Sequence, residues 1–157
     1  MKQRKPTRIR RGPKGRQIAA LPVRWNADGE PEVLLVTSRT TRRWIIPKGW
    51  TMEGKKPWKA AGIEAHEEAG AKGKVRPNPI GSYEYIKILR DGSGMICDVE
   101  VFPMVVEDLI PAWKEKNERK RVWFPADRAA RLVQEPQLAS LLRKLKKKKM
   151  RARIEEG

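Results

Sequence analysis

The sequence predicts one α+β (mixed α/β) domain, on three observations. Runs of branched apolar residues recur through the first 125 residues. A single helical pattern, residues 57–69, interrupts them, and helical patterns return after Pro125. No internal repeat and no regular strand–helix alternation is present, which argues against a solenoid or a regular doubly wound sheet. At 157 residues the chain suits one domain with its own hydrophobic core.

Taken in order, "QIAALPVRW" (17–25) reads as a strand and "NADGEPE" as a turn. "EVLLVTS" (32–38) is a β-run rich in Val and Leu, and "RTTRR" a basic loop. "WIIPKGW" (44–50) is a short strand stopped by Pro47 and Gly49. Pro57 suits the first turn of a helix and Gly70 its C-terminal cap, so "PWKAAGIEAHEEA" lies between a start and a stop signal. "GKVRPNPIGSYEYIKI" supplies one or two strands and "RDGSG" a hairpin turn. "MICDVEVFPMVVE" (95–107) reads as a strand interrupted by Pro103. "RKRVWF" is a strand ending at Pro125, and "ADRAARLV" and "PQLASLLRKLKKKK" read as two helices. Trp44 and Trp123 are expected to pack in the core.

The formal charge of +17 is unevenly placed. Residues 1–17 hold eight Lys/Arg and no acid; residues 141–157 hold eight Lys/Arg and two Glu. The tails therefore carry +14, leaving about +3 for residues 18–140. The expected organisation is a basic, flexible arm (1–16), a nearly balanced domain (17–142) and a basic tail (143–157). Such tails suit RNA or another polyanion, or serve solubility alone. No apolar run approaches the ~18 residues of a membrane span, and "QIAALPV" is too short for a signal peptide. A cytoplasmic protein without membrane contact is expected, its oligomeric state open. Cys97 lies in an apolar run and reads as a small buried hydrophobe. With one Cys and one His in the chain, a zinc site of the usual N/S type is excluded. Any metal must be held by oxygen, which favours Mg²⁺, Mn²⁺ or Ca²⁺.

The sharpest local anomaly is Glu64, Glu67 and Glu68. Their spacing puts them on one helix face, with Ala60 and Ala61 extending that face and Trp58, Ala65 and Ala69 turned to a sheet. No lysine lies within a turn on the glutamate face. The cluster sits toward the helix C-terminus, where the macrodipole disfavours negative charge. One reading is a solvated acidic face; the other is a divalent-cation site. The tight "PKG" turn and the basic loop "SRTTRR" just upstream favour the second, because carboxylates beside phosphate-binding arginines suit phosphoryl transfer.

Gly49 to Ala71 resembles the Nudix box, G-x5-E-x7-R-E-U-x-E-E-x-G-U, with U a bulky aliphatic residue. Gly49, Glu64, Glu67, Glu68 and Gly70 match it. The remaining Glu and Arg positions hold Lys55 and Ile63, and the U positions are Ala65 and Ala71. In the family that Glu and Arg help fix the loop and helix and orient the catalytic glutamates. The resemblance extends over roughly residues 17–142. "EVLLVTSRTTRRWIIPKG", "AGAKGKV" and "WKEKNERKRVWFPADRAARLV" look most like the diphosphoinositol polyphosphate phosphohydrolase branch, and "PKGW" is similar to other branches, dinucleoside polyphosphate hydrolases included.

The resemblance implies a Nudix fold: a mixed β-sheet sandwiched between helices, with a catalytic loop-helix-loop. It implies that Glu64, Glu67 and Glu68 are the catalytic and metal-binding residues, helped by a carbonyl near Lys48 or Gly49. Mg²⁺ or Mn²⁺ would activate water against a pyrophosphate linkage, with Glu64 or Glu68 as general base. Arg39 matches a phosphate-binding arginine of the branch. Arg43 and Lys48 are the next substrate-binding candidates, followed by Arg16 and Arg119. Trp50 suits either stacking or packing, and His66 falls at a variable position. The implied substrate is a polyphosphorylated small molecule. The alternatives are an RNA 5′ pyrophosphohydrolase whose tails hold the RNA, and a binding or regulatory protein in which catalysis has faded with Lys55 and Ile63.

Overall fold

A computed structural model describes residues 5–157; the first four residues of the expected N-terminal arm lie outside the described residues. The chain runs β1 (Gly15–Trp25), β2 (Pro31–Thr37), β3 (Trp44–Ile45), β4 (Lys48–Trp50), α1 (Pro57–Ala69), β5 (Ala71–Val75), β6 (Gly81–Ile88), β7 (Gly94–Leu109), β8 (Arg121–Pro125), α2 (Ala126–Leu132), α3 (Pro136–Lys144) and α4 (Lys148–Glu156). The strands join in one eight-stranded mixed sheet, in which β1 and β7 are parallel and the other pairs antiparallel.

Strand alternation divides the core into two layers, because successive side chains point to opposite faces. Ile18, Ala20, Leu34, Val36, Phe102 and Met104 face α1, meeting Ala60, Ala61, Ala65 and Ala69. Ala19, Leu21, Val23, Val33, Leu35, Val99 and Val101 face the other way, onto Ala126, Ala129, Leu138, Leu142 and Ile154 of α2, α3 and α4. The sheet is thus sandwiched between helices, and the mixed α/β class expected from the sequence is the one observed.

The register explains how a site opens in this sheet. β1 and β2 pair only near their shared turn, from Val23↔Val33 to Trp25↔Pro31, and then part. β4 pairs with β1 at Gln17–Ala19, while β3 pairs with β2 at Val36–Thr37. Residues 44–50 therefore wedge between the separating strands, and Ala20 donates its N–H to Pro47 O at 3.0 Å. Lys48 and Gly49 are held in that split, beside α1.

Three local expectations change. Pro103 does not interrupt its strand: β7 runs unbroken from Gly94 to Leu109. Its edge partner changes there from β6, ending at Val101, to β5, starting at Met104. The missing N–H falls at this changeover, where the connecting loop needs only the Pro103 carbonyl, which accepts from Arg76 N at 2.9 Å. Next, "PQLASLLRKLKKKK" is not one helix: α3 ends at Lys144, and α4 starts at Lys148 after a turn that keeps Leu145 buried. Finally, Ala60 and Ala61 belong to the packed face of α1, where small side chains let helix and sheet approach closely; Glu64 and Glu68 stand at its margin.

The basic termini also carry structure. Thr7 N donates to Gly92 O, Arg10 N to Gly94 O and Gly94 N to Arg8 O, tying the described part of the arm to the β6–β7 hairpin. Ile154 of α4 is fully buried. Cys97 is a buried free thiol, and Trp44 packs edge-on against Phe124 at 5.0 Å between ring centroids. Among the described residues no helix is long and apolar enough to cross a membrane.

Candidate active site

α1 starts with Pro57 at its first turn and stops at Gly70, whose φ of 63° is the left-handed cap conformation glycine tolerates. It carries Glu64, Glu67 and Glu68. Glu64 lies against Gly49: a Cβ at residue 49 would collide with its carboxylate, so only glycine permits this approach. Glu68 is buried, at 6% exposure, and its Oε1 accepts the Lys48 amide at 3.3 Å. Glu67 is half-buried, with Lys114 Nζ at 3.3 Å from its Oε2.

The cations missing from the helix arrive from elsewhere in the chain. Arg119 is buried, its Nη2 3.7 Å from Glu68 Oε2. Its Nε donates to Glu115 Oε1 at 2.8 Å and its Nη1 to Thr37 O at 3.0 Å. Glu115 brings a fourth carboxylate, from the loop after β7; its N–H donates to Glu67 O at 3.1 Å. Burial pushes the Glu68 carboxyl up to about 7, with Arg119 and Lys48 pulling it down and Glu64 and Glu115 pushing further up. Burial also raises Glu64, assisted by the charges of Glu67 and Glu115. Burial pushes the Lys48 ammonium down to about 8, against the attraction of Glu68. Burial and mutual repulsion thus outweigh the nearby cations and leave Glu68 and Glu64 costly as anions.

Beside this group opens a cleft of about 680 Å³. Arg39, Arg43, Lys48, Lys87, Lys5 and Arg119 line it, as do Ser38, Thr41, Tyr85 and Glu135. The loop after β2 is closed by its own hydrogen bonds. Arg43 N donates to Ser38 Oγ at 3.0 Å, Ser38 Oγ and Thr41 Oγ1 are 2.7 Å apart, and Ser38 N donates to Arg43 O at 2.8 Å. This closure aims Arg39 and Arg43 at one opening. Arg39 is mostly exposed, with only long ion pairs, 3.7 Å to Glu118 and 4.0 Å to Glu115. Arg43 holds Glu135 at 2.8 Å. Lys48 Nζ stands 4.7 Å above the Tyr85 ring.

Of the residues singled out from the sequence, Arg39, Arg43, Lys48 and Arg119 share the cleft. Arg16 is exposed on β1 and is absent from the described residues that line it. Trp50 is 44% exposed, with Lys87 Nζ 5.9 Å from its ring centroid, and His66 is exposed. Sequence reasoning missed Glu115, Lys87, Lys5 and Glu135. Glu115 and Arg119 had one local signal, their i,i+4 spacing, but in a stretch that forms turns. Lys5 reaches the cleft through the arm's pairing with the β6–β7 hairpin.

Among the described residues, no group of three or more His, Cys, Asp or Glu side chains is already gathered around a common point. The donor chemistry nevertheless fits a hard divalent cation. Glu64 and Glu68 are all-oxygen donors, buried enough to be costly as anions, beside the backbone of Gly49.

The NUDIX domain model matches residues 15–145. Mouse diphosphoinositol polyphosphate phosphohydrolase 3-alpha is 34% identical over 139 residues, spanning 85% of this chain and 80% of that protein. The human 3-beta protein is 33% identical over the same shares. Among solved structures, a Caenorhabditis elegans Ap4A hydrolase superposes with a TM-score of 0.60 at 20% identity, covering 84% of this chain and 96% of that one.

Proposed function

The chain belongs to the Nudix family as a pyrophosphohydrolase of phosphoric anhydrides, and from that premise we propose that its substrate is a diphosphoinositol polyphosphate, split by water with Mg²⁺ or Mn²⁺ bound. One observation carries the reading: the basic cleft and the buried carboxylates share residues. Lys48 and Arg119 line the first and reach Glu68 in the second. The activity named for the relatives at 33–34% identity supports the substrate class.

In this proposal Arg39, Arg43 and Lys48 bind the phosphates. Arginine does so through its two-pronged fork, and the half-buried Lys48 as a donor next to the carboxylates. Glu64, Glu67 and Glu68, with the Gly49 carbonyl, would hold the cation. Bound there, it supplies charge neutralisation and a more acidic water. Glu64 or Glu68 takes the proton of the attacking water, and Arg119 positions Glu68 and Glu115. No side chain serves as nucleophile.

The test is a panel with Mg²⁺ or Mn²⁺: an inositol pyrophosphate, diadenosine polyphosphates, nucleotide sugars, nucleoside triphosphates and triphosphorylated RNA. The inositol pyrophosphate is expected to have a kcat/KM at least about tenfold above the others, a difference of some 1.4 kcal/mol in transition-state binding. Preference for a dinucleoside polyphosphate or for RNA would reassign the substrate, and turnover of none would remove the enzymatic role.

A second expectation concerns Gly49. Gly49→Ala must push the Glu64 carboxylate aside, since the new methyl needs its space. A displacement on the order of 1 Å lowers turnover by about 100-fold. A kcat within about threefold of the parent would show that Glu64 is not held to a catalytic geometry.

A further inference from the structure

The basic C-terminal stretch is the sequence feature that anhydride cleavage leaves unused. Arg143, Lys144, Lys146, Lys147, Lys148 and Lys149 are all exposed. Among the described residues, only Lys146 of these has an ion-pair partner, Asp127 at 2.9 Å, with Glu30 also near it. The other five cations face no carboxylate within ion-pair distance.

The run is held on a frame at both ends. Leu141, Leu142 and Leu145 are buried on one side and Ile154 on the other. Arg76 Nε donates to Ile154 O at 2.6 Å, Arg76 Nη2 to Glu155 O at 2.7 Å, and Arg153 Nη2 to Pro79 O at 2.8 Å. α3 and α4 pack on the sheet face opposite α1, so these cations display away from Glu64 and Glu68. Concentrated like charge on a fixed frame repels itself, and a polyanion relieves that repulsion.

We propose that the α3–α4 surface binds the phosphate backbone of a nucleic acid without reading its sequence. Two observations choose nucleic acid over an anionic membrane. The apolar residues of α3 and α4 are turned into the core, and none of the exposed large apolar residues, Ile9, Trp50, Ile86 and Val122, lies on either helix. Among the described residues, neither helix presents a large exposed apolar side chain to insert among lipid chains. Sequence-blind binding follows from the same inventory: the exposed residues of the run are phosphate-binding cations, and the Trp25 ring beside α4 has a face taken by Arg151, 4.9 Å from its centroid.

The experiment is fluorescence anisotropy with a labelled single-stranded RNA of about 20 nucleotides and mixed sequence, from low to physiological salt. The parent protein is expected to bind saturably, with similar affinity for unrelated sequences. The combined variant Lys144→Ala/Lys147→Ala/Lys148→Ala/Lys149→Ala is expected to bind at least tenfold more weakly. Its log K against log salt slope should be shallower by about 3, at ~0.7 per lost phosphate contact on a single strand. Hydrolysis of a small anhydride and the thermal midpoint serve as folding controls; if the quadruple variant is unstable, Lys147→Ala/Lys148→Ala should lose about half that slope. No saturable binding by the parent at micromolar protein overturns the proposal, as does an unchanged slope in the variants. So does equal or tighter binding to phosphatidylserine vesicles that the same variants abolish.

Discussion

Glu68→Gln is expected to lower the hydrolysis rate by about 10²–10⁴-fold, the range for losing an acid–base group, while raising the thermal midpoint of the metal-free protein at pH 8. The two effects have one cause. Glu68 is buried, and its carboxyl is pushed up to about 7 from an ordinary 4.5. An acid whose pKa is raised on folding binds more protons in the native state than in the unfolded state. Stability therefore falls as pH rises between about 4.5 and 7. Gln cannot ionise and escapes that loss, so parent and variant should melt alike near pH 4 and diverge above it. A divalent cation held by the anionic site, as proposed, would stabilise the native parent, so adding Mg²⁺ should narrow or reverse the gap. Thermal melts of both proteins across pH 4–8, with Mg²⁺ or EDTA, check this. A variant less stable than the parent at every pH would mean that Glu68 contributes through its ion pairs instead.

Arg119→Ala should cost about 3–5 kcal/mol, the range for removing one partner of a buried charge pair. For a chain of this length that is a fall of roughly 10 °C in the thermal midpoint. Its guanidinium bonds Glu115 and Thr37 O and lies 3.7 Å from Glu68, so its loss takes the buried cation from two carboxylates, leaving Lys48 beside Glu68 and the distant Arg39 beside Glu115. It should also move the pH–rate profile. Arg119 lowers the Glu68 pKa, so without it the acidic limb should shift to higher pH. A support role without electrostatic coupling would lower stability and leave that limb in place. Arg119→Lys keeps the charge but not the fork, and should restore the limb's position better than the midpoint.

What could be read in advance was local. Pro57 and Gly70 bound α1 because first-turn proline and left-handed glycine are intrinsic preferences. The strands of the first half show through alternation and branched residues. Glu64, Glu67 and Glu68 fall on one helix by spacing alone. What escaped depends on residues distant in sequence. Lys114 and Arg119, which counter the glutamates, lie about 50 residues further along. Glu115 joins them from a turn region without periodicity. The wedge of residues 44–50 exists because β1 and β2 part, which no local pattern encodes. The effect of Pro103 is not local either, because its missing donor matters only if an edge partner is there to need it. The break between α3 and α4 follows from where Leu145 and Ile154 find the core.

In the proposed reaction a cation-assisted carboxylate group acts on substrate in the basic cleft. The most direct test is the hydrolysis rate of an inositol pyrophosphate by the parent and by Glu68→Gln, titrated with Mg²⁺ from an EDTA-treated start. The parent should be inactive in EDTA and rise saturably with Mg²⁺, and the variant should remain lower by about 10² or more at every concentration. Equal rates for the two proteins, or full parent activity in EDTA, would contradict it.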